Sequence, residues 1–410
     1  MIQIKHKYDC CGCSACMQIC PKKCISLKED KEGFLYPSIN SSDCIDCHLC
    51  ERICPIMNVG SPQKDVSVFA VTNSDEEIRM QSSSGGVFTL LAQKVINEGG
   101  VVFGAKFNDK WEVVHGYSET IEGLSQFRGS KYVQSELGNC FVDAKFFLNR
   151  GRKVLFSGTP CQIAGLHNYL RKHYDNLLTV DFVCHGVPSP GIWRKYLYEV
   201  FHHSTYKKNT ASASSLNSMP VITGIEFRDK TLNGWKKFSF VVRGKSALKT
   251  DKNSVLLSDM HKDNLYMKGF LRNIYLRPSC YHCAFKSFRS QSDITLADFW
   301  GVEKFYPEMN DDKGVSLAFT CNRSLKEFLL SVCAKEIPLK YAANQNPSIF
   351  RSVRMRRNRD LFFSDLKKGK DLLESIEKRA RWDRRETFRL TLIKLLEKVH
   401  LLNLIKKIIR

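Results

Sequence analysis

The run Cys10-x2-Cys13-x2-Cys16-x3-Cys20-Pro21 recurs without deviation as Cys44-x2-Cys47-x2-Cys50-x3-Cys54-Pro55. Three cysteines set two residues apart wrap a loop around whatever their sulfurs bind. The fourth, followed by proline, is spaced to leave that loop. Ten of the chain's 17 cysteines fall in its first 54 residues.

Two such runs are the signature of a bacterial ferredoxin carrying two 4Fe–4S clusters. The spacing assigns Cys10, Cys13, Cys16 and Cys54 to one cube, and Cys44, Cys47, Cys50 and Cys20 to the other. The fourth cysteine of each run is expected to start a helix that points away. Four thiolates also suit zinc, but zinc does not require two interleaved runs that each end in Cys-Pro. Ile25 to Ile39 alternates apolar and polar around Gly33 and fits a connecting hairpin. Cys11 and Cys24 are extra and read as small buried fillers.

The 410 residues are 43% apolar and 26% charged, ordinary for a soluble globular chain. This excludes disorder, collagen and a polytopic membrane protein. Met1 to Asp9 lacks a signal-peptide core, and no apolar run is long enough to span a bilayer. The expected location is cytoplasmic, where thiols stay reduced and abundant cysteine reads as metal or redox chemistry.

The net charge of +21 favours anionic partners and is unevenly placed. Residues 1–56 hold seven basic and seven acidic residues, whereas 351–410 hold nineteen basic and eight acidic. Within Thr387 to Arg410, Phe388, Leu392, Leu395, Val399, Leu402, Ile405 and Ile409 share one helical stripe. Lys394, Lys398, Lys406, Lys407 and Arg410 lie mostly elsewhere. Such a C-terminal amphipathic helix suits an anionic membrane surface, at the inner face of the membrane. The same stripe suits docking on the protein's own core or a partner. No recognition motif supports nucleic-acid binding.

The expected fold class is α+β. A ferredoxin domain (1–58) is fused to a mixed α/β core (66–350, in parts 66–175 and 176–350) and a basic helical tail (351–410). Met57 to Asp65 has the composition of a linker. Strands are expected at Val66–Val71, Val101–Phe107, Val113–Tyr117, Val154–Ser157 and Leu178–Val183. Helices are expected at Val87–Asn97, Glu136–Asn149 and Ile163–Leu170. Ser204 to Pro220 reads as an exposed insertion, and a hairpin is expected around Asn233-Gly234.

Iron–sulfur clusters carry single electrons, while most metabolites exchange pairs, and a flavin is the usual converter. No GxGxxG occurs, and Gly99 to Lys106 departs from a Walker A loop. Gln81-Ser82-Ser83-Ser84-Gly85-Gly86 is the best phosphate loop, since it feeds a helix N-terminus. A plain cap by Ser84 would explain the same residues. Cys161, Cys184, Cys280 and Cys283 could form a third 4Fe–4S site or be buried free thiols. Cys140, Cys321 and Cys333 read as core.

Several separated loops resemble, in order, the coenzyme F420 hydrogenase/dehydrogenase beta-subunit family. They are Ser82–Gly86, Gly129–Ser135, Gly158–Gln162, Cys184–Gly186, Arg277–Cys283 and Asp298–Gly301. The plant 7-hydroxymethyl chlorophyll a reductase is a relative of the same type. The resemblance implies an FAD-binding core with its own 4Fe–4S cluster on Cys161, Cys184, Cys280 and Cys283. It also implies that Ser82, Ser83, Ser84, Gly85, Gly86, Ser130, Lys131, Tyr132, Gln134, Thr159 and Gln162 bind the flavin. His185 is a proton donor near the flavin on this reading, or else a loop histidine bonded to backbone.

The expected function is an FAD-dependent iron–sulfur oxidoreductase acting on a small or lipid-linked metabolite, in a surface-polysaccharide setting. The alternatives are a subunit exchanging electrons with coenzyme F420, a non-catalytic conduit to a redox partner protein, and a membrane-surface scaffold with structural clusters.

Overall fold

The computed structural model describes residues 1–202, 220–245, 251, 253–332 and 334–381. The amphipathic stripe of 387–410, Cys333 and nearly all of the 204–220 insertion lie outside the described residues.

After a 3₁₀ turn (Lys7–Asp9) comes helix α1 (Ala15–Ile19), followed by the hairpin β1 (Ile25–Glu29) and β2 (Leu35–Ile39), then helix α2 (Leu49–Arg52). The hairpin pairs Ile25 with Ile39 and turns through Gly33 at φ +82°. A side chain on Gly33 would lie 2.5 Å from the Gly191 Cα, so only glycine fits both the turn and the contact. The fourth cysteines end helices rather than starting them. Cys20 caps the C-terminus of α1, and Cys54 follows α2. Pro21 and Pro55 come next and cannot prolong those turns.

The core begins with β3 (Ser67–Val71), α3 (Glu76–Gln81), α4 (Val87–Asn97), β4 (Val101–Phe107) and β5 (Val113–Ser118). Then come α5 (Cys140–Asn149), β6 (Val154–Ser157), α6 (Pro160–Leu170), β7 (Leu177–Phe182) and α7 (Pro190–His202). Helix α5 starts later than the expected Glu136, whose backbone bridges β5 instead. Helix α6 starts earlier than Ile163 because Thr159 and Gln162 form a capping box ahead of Pro160.

The chain continues through β8 (Val221–Asp229), β9 (Ser239–Lys245), β10 (Val255–Met260) and α8 (Leu265–Leu271). It ends with β11 (Ile294–Asp298), β12 (Ser316–Thr320), α9 (Arg323–Ser331), β13 (Ala334–Ile337), α10 (Leu339–Gln345), α11 (Arg357–Lys367) and α12 (Leu372–Arg379).

Eight strands form one mixed sheet in the order β13-β3-β12-β11-β7-β6-β4-β5. Its centre, β4-β6-β7-β11, is parallel, and antiparallel strands close both sides. The central strands read Val-Leu-Phe and Val-Val-Phe because both faces are covered. A separate antiparallel sheet, β10-β9-β8, holds the hairpin expected around Asn233-Gly234.

The start of the segment read as a basic tail packs into the core. Phe362, Leu372, Leu373 and Ile376 share an apolar cluster with Trp193, Phe227 and Tyr266. Among the described residues no helix is long and apolar enough to cross a membrane.

Candidate redox site

The ferredoxin cysteines line two separate recesses. Cys10, Cys13, Cys16 and Cys54 line a cavity of about 300 Å³. Cys20, Cys44, Cys47 and Cys50 line a second, narrower recess. Burial, with the neighbouring Cys10 and Cys54 thiols, pushes the Cys16 thiol up to about 12. Such a thiol stays protonated at neutral pH unless a metal displaces the proton. Among the described residues no three His, Cys, Asp or Glu side chains converge closely enough to hold a single metal ion.

The core thiols come from loops that the sheet brings together. β6 and β7 are parallel neighbours, so Cys161 and Cys184 both follow the carboxyl ends of adjacent strands. Cys280 lies within the 3₁₀ turn Pro278–His282, and Cys283 caps its end. The four lie within electrostatic reach of one another. Burial, with Cys280, Cys161 and Cys283 nearby, raises the Cys184 thiol well above its ordinary value. Burial pushes Cys280 up to about 12, even though the Val187 amide donates to its Sγ at 3.4 Å.

Cys11 is buried, as expected of a filler. It lies in the loop of the first ferredoxin set and shares a buried cluster with Cys13, against which Cys161 packs. That cluster joins the two thiol groups. Cys24 sits 3.3 Å, sulfur to sulfur, from Cys20. Cys140 is buried as expected, but Cys321 is exposed and donates to the Lys64 carbonyl.

A larger cavity, about 760 Å³, opens at the same end of the sheet. Ser82, Ser83, Ser84, Gly86, Ser130, Lys131, Tyr132, Thr159, Gln162, Cys184 and His185 all line it. Gly85 and Gln134, expected with them, do not. Gly85 packs beneath the loop, where its missing Cβ would meet the Val71 carbonyl at 2.4 Å. Gln134 faces the ferredoxin side and donates to the Cys11 carbonyl at 3.0 Å.

Ser84 does not cap helix α4. Its hydroxyl donates to the Val315 carbonyl, and the cap position falls on Gly86 at φ +82° with no side-chain bond. The first turn of α4 therefore presents free amides where Gly86, Val87 and Phe88 border the cavity. The Ser83 hydroxyl accepts from the Ser130 amide at 2.6 Å and joins the two loops.

Arg128 and Lys131 add positive charge to the wall, while Arg228 is paired with Asp298 and Lys236 with Glu303. Burial pulls Lys131 down to about 7. Two buried polar atoms on this wall, His115 Nδ1 and Arg228 Nε, have no hydrogen-bond partner among the described residues. His115 Nε2 lies 3.0 Å from the Ser157 carbonyl, which leaves Nδ1 as a free acceptor. A free helix terminus, basic walls and unpartnered polar atoms fit a large anionic ligand with hydrogen-bonding edges.

His185 Nε2 lies 2.6 Å from Asn273 Oδ1, so its partner is a side-chain amide rather than backbone. Burial lowers its pKa and favours the neutral imidazole.

Residues 68–140 match the N-terminal part, and residues 151–341 the C-terminal part, of the coenzyme F420 hydrogenase/dehydrogenase beta subunit. Residues 9–58 match the 4Fe-4S dicluster domain. The chain belongs to this beta-subunit family. The two beta-subunit matches span more than half of its length. No protein of curated function matches the sequence. Among solved structures, the chain is similar to one from the F420-reducing nickel–iron hydrogenase complex of Methanosarcina barkeri. Identity is 17% and the TM-score 0.41, over 78% of this chain and 91% of that one.

As a beta-subunit homologue with a dicluster domain, the chain is an iron–sulfur electron-transfer protein of the oxidoreductase type. The Asp298-Phe299-Trp300-Gly301 loop also contributes to the wall of the large cavity. In the structure Asp298 takes a forked ion pair from Arg228 at 2.6 and 3.0 Å. Trp300 lines the cavity and stacks on Trp235, with centroids 4.7 Å apart. Lys230, unmarked in the sequence, donates to the carbonyls of Arg79, Ser84 and Lys313 and pins the serine loop.

Proposed function

We propose that this protein is an FAD-dependent iron–sulfur oxidoreductase with three 4Fe–4S clusters in one chain. The observation that carries the reading is the placement of Cys184. It lines the large cavity, and its neighbour Cys161 packs against the apolar cluster that holds Cys13 of the first ferredoxin set. A two-electron site and a one-electron wire would thereby share a wall.

On this reading Ser83, Ser130 and the first turn of α4 hold the FAD pyrophosphate, with Lys131 as counter-charge. Cys161, Cys184, Cys280 and Cys283 hold the core cluster. The two ferredoxin cubes take Cys10, Cys13, Cys16 and Cys54, and Cys44, Cys47, Cys50 and Cys20. FAD supplies the conversion between paired and single electrons. The protein's part is to bind and orient: Trp300 and Tyr132 wall the cavity, and His115 Nδ1 offers an acceptor to the ligand edge.

The substrate is a small or lipid-linked metabolite reaching that cavity, with coenzyme F420 as the alternative. The basic wall suits an anionic molecule in either case. A conduit role toward a redox partner is the second reading. It is favoured by Ile45, which is 58% exposed between Cys44 and Cys47.

Anaerobic purification with iron, acid-labile sulfide and flavin analysis tests the proposal. The expected content is about twelve iron and one FAD per chain, at four iron per cube. About eight iron would remove the core cluster, and zinc in place of iron would overturn the whole reading. Flavin that bleaches with a chemical donor, yet turns over only when a second protein is added, would favour the conduit.

A further inference from the structure

Arg277 comes from the core but spends its side chain on the ferredoxin domain. It is 1% exposed. Its Nε donates to the Cys10 carbonyl at 2.7 Å, and Nη1 donates to Gln134 Oε1 at 2.9 Å. Nη2 donates to the Leu35 carbonyl at 2.9 Å and to Cys10 Sγ at 3.4 Å. The guanidinium also lies over the rings of Tyr36 and Phe34, at 4.3 and 5.4 Å. A side chain on Gly12 would sit 2.7 Å from Nη1, so the cysteine loop closes directly on the guanidinium.

Among the described residues its acceptors are carbonyls, an amide oxygen and a sulfur, and none is a carboxylate. A buried cation without a carboxylate needs another anion. Cys10 belongs to the first cluster set, and a cube with four thiolate ligands is an anion. Reduction adds one electron and no proton, so the cube becomes more negative by one charge. A fixed positive charge donating to one of its sulfurs therefore favours the reduced state.

We infer that Arg277 is a positioning residue that raises the reduction potential of the cluster held by Cys10, Cys13, Cys16 and Cys54. It thereby biases electrons toward the ferredoxin cube nearest the core. The inference rests on the ferredoxin cysteines alone and does not need the flavin. The other ferredoxin cube, on Cys20, Cys44, Cys47 and Cys50, serves as an internal reference.

Redox titration of the anaerobically purified full-length protein, followed by electron paramagnetic resonance, is the test. Arg277→Gln should lower the midpoint of the cluster on Cys10, Cys13, Cys16 and Cys54 most, and leave the second ferredoxin cluster in place. At fixed potential the reduced-to-oxidised ratio of the first should fall at least tenfold, which is 59 mV for a one-electron couple. Arg277→Lys, which keeps the charge, should retain most of the wild-type midpoint. Gln134→Glu sets a carboxylate against the guanidinium at nearly constant volume and should shift the same cluster downward. Unmoved midpoints in Arg277→Gln or Gln134→Glu, with iron retained, would overturn the inference. So would an equal shift of every cluster. Loss of iron in both variants would also overturn it, by assigning Arg277 to folding alone.

Discussion

At the scale of single residues, the cysteine spacing was legible and the long-range cations were not. Eight sulfurs could be sorted from a repeat, because a metal cluster dictates local spacing. Lys230 gave no such sign, because its three acceptors lie far away in the chain. Lys230→Met would leave three buried carbonyls without a donor and should cost about 2–4 kcal/mol. Thermal unfolding would show that loss, and on the proposed function the variant should also retain less FAD. Asp181 offers a second test. It is 1% exposed and accepts from the hydroxyls of Ser290 and Thr295. Burial raises its pKa from 3.8 to about 7, partly offset by those two bonds. A carboxyl whose pKa rises on folding stabilises the fold while protonated. Its contribution is complete below about pH 4 and is lost as pH climbs to about 7. Asp181→Asn should remove that slope, so denaturant midpoints of variant and wild type should diverge between pH 4 and 7 in favour of the variant. Parallel curves across that window would show that Asp181 ionises freely.

At the scale of elements, the apolar runs marked the central strands, and the Gly and Pro breaks marked most helix ends. Helix starts were less visible. Glu136 belongs to a strand bridge, and the Thr159–Gln162 capping box pulls α6 forward. The serine loop was legible as a loop feeding a helix, but its cap was misplaced, because Ser84 turns to Val315 in a distant strand. Helix α6 also packs directly against the ferredoxin. A side chain on Gly165 would lie 3.0 Å from the Cys13 Cβ. Gln18 of α1 accepts from the Phe141 amide and caps α5 in return. Gly165→Val should force the first cysteine loop off the core. About four iron per chain should be lost, while the second ferredoxin cluster stays loaded. Full iron content in that variant would mean that the loop tolerates the displacement.

At the scale of the whole molecule, the ferredoxin is welded to the core rather than tethered to it. Arg359 reaches from α11 to Glu32 at the hairpin, with Nη1 at 3.1 Å. Ser189 donates to the Glu32 carbonyl at 2.5 Å. Composition alone marks a basic helical tail from residue 351 without showing that its start packs inward, because charge does not reveal which apolar residues are buried. On the proposed function, the redox centres would follow one path from the cavity through the core thiols to the ferredoxin. Light-driven reduction of the bound flavin with a sacrificial amine donor tests that path most directly. In the wild-type protein the ferredoxin clusters should bleach as soon as the flavin is reduced. In Cys280→Ser, lacking the core cluster, the flavin should be reduced while the ferredoxin clusters stay oxidised. Equal bleaching in the two proteins would contradict a path through the core thiols.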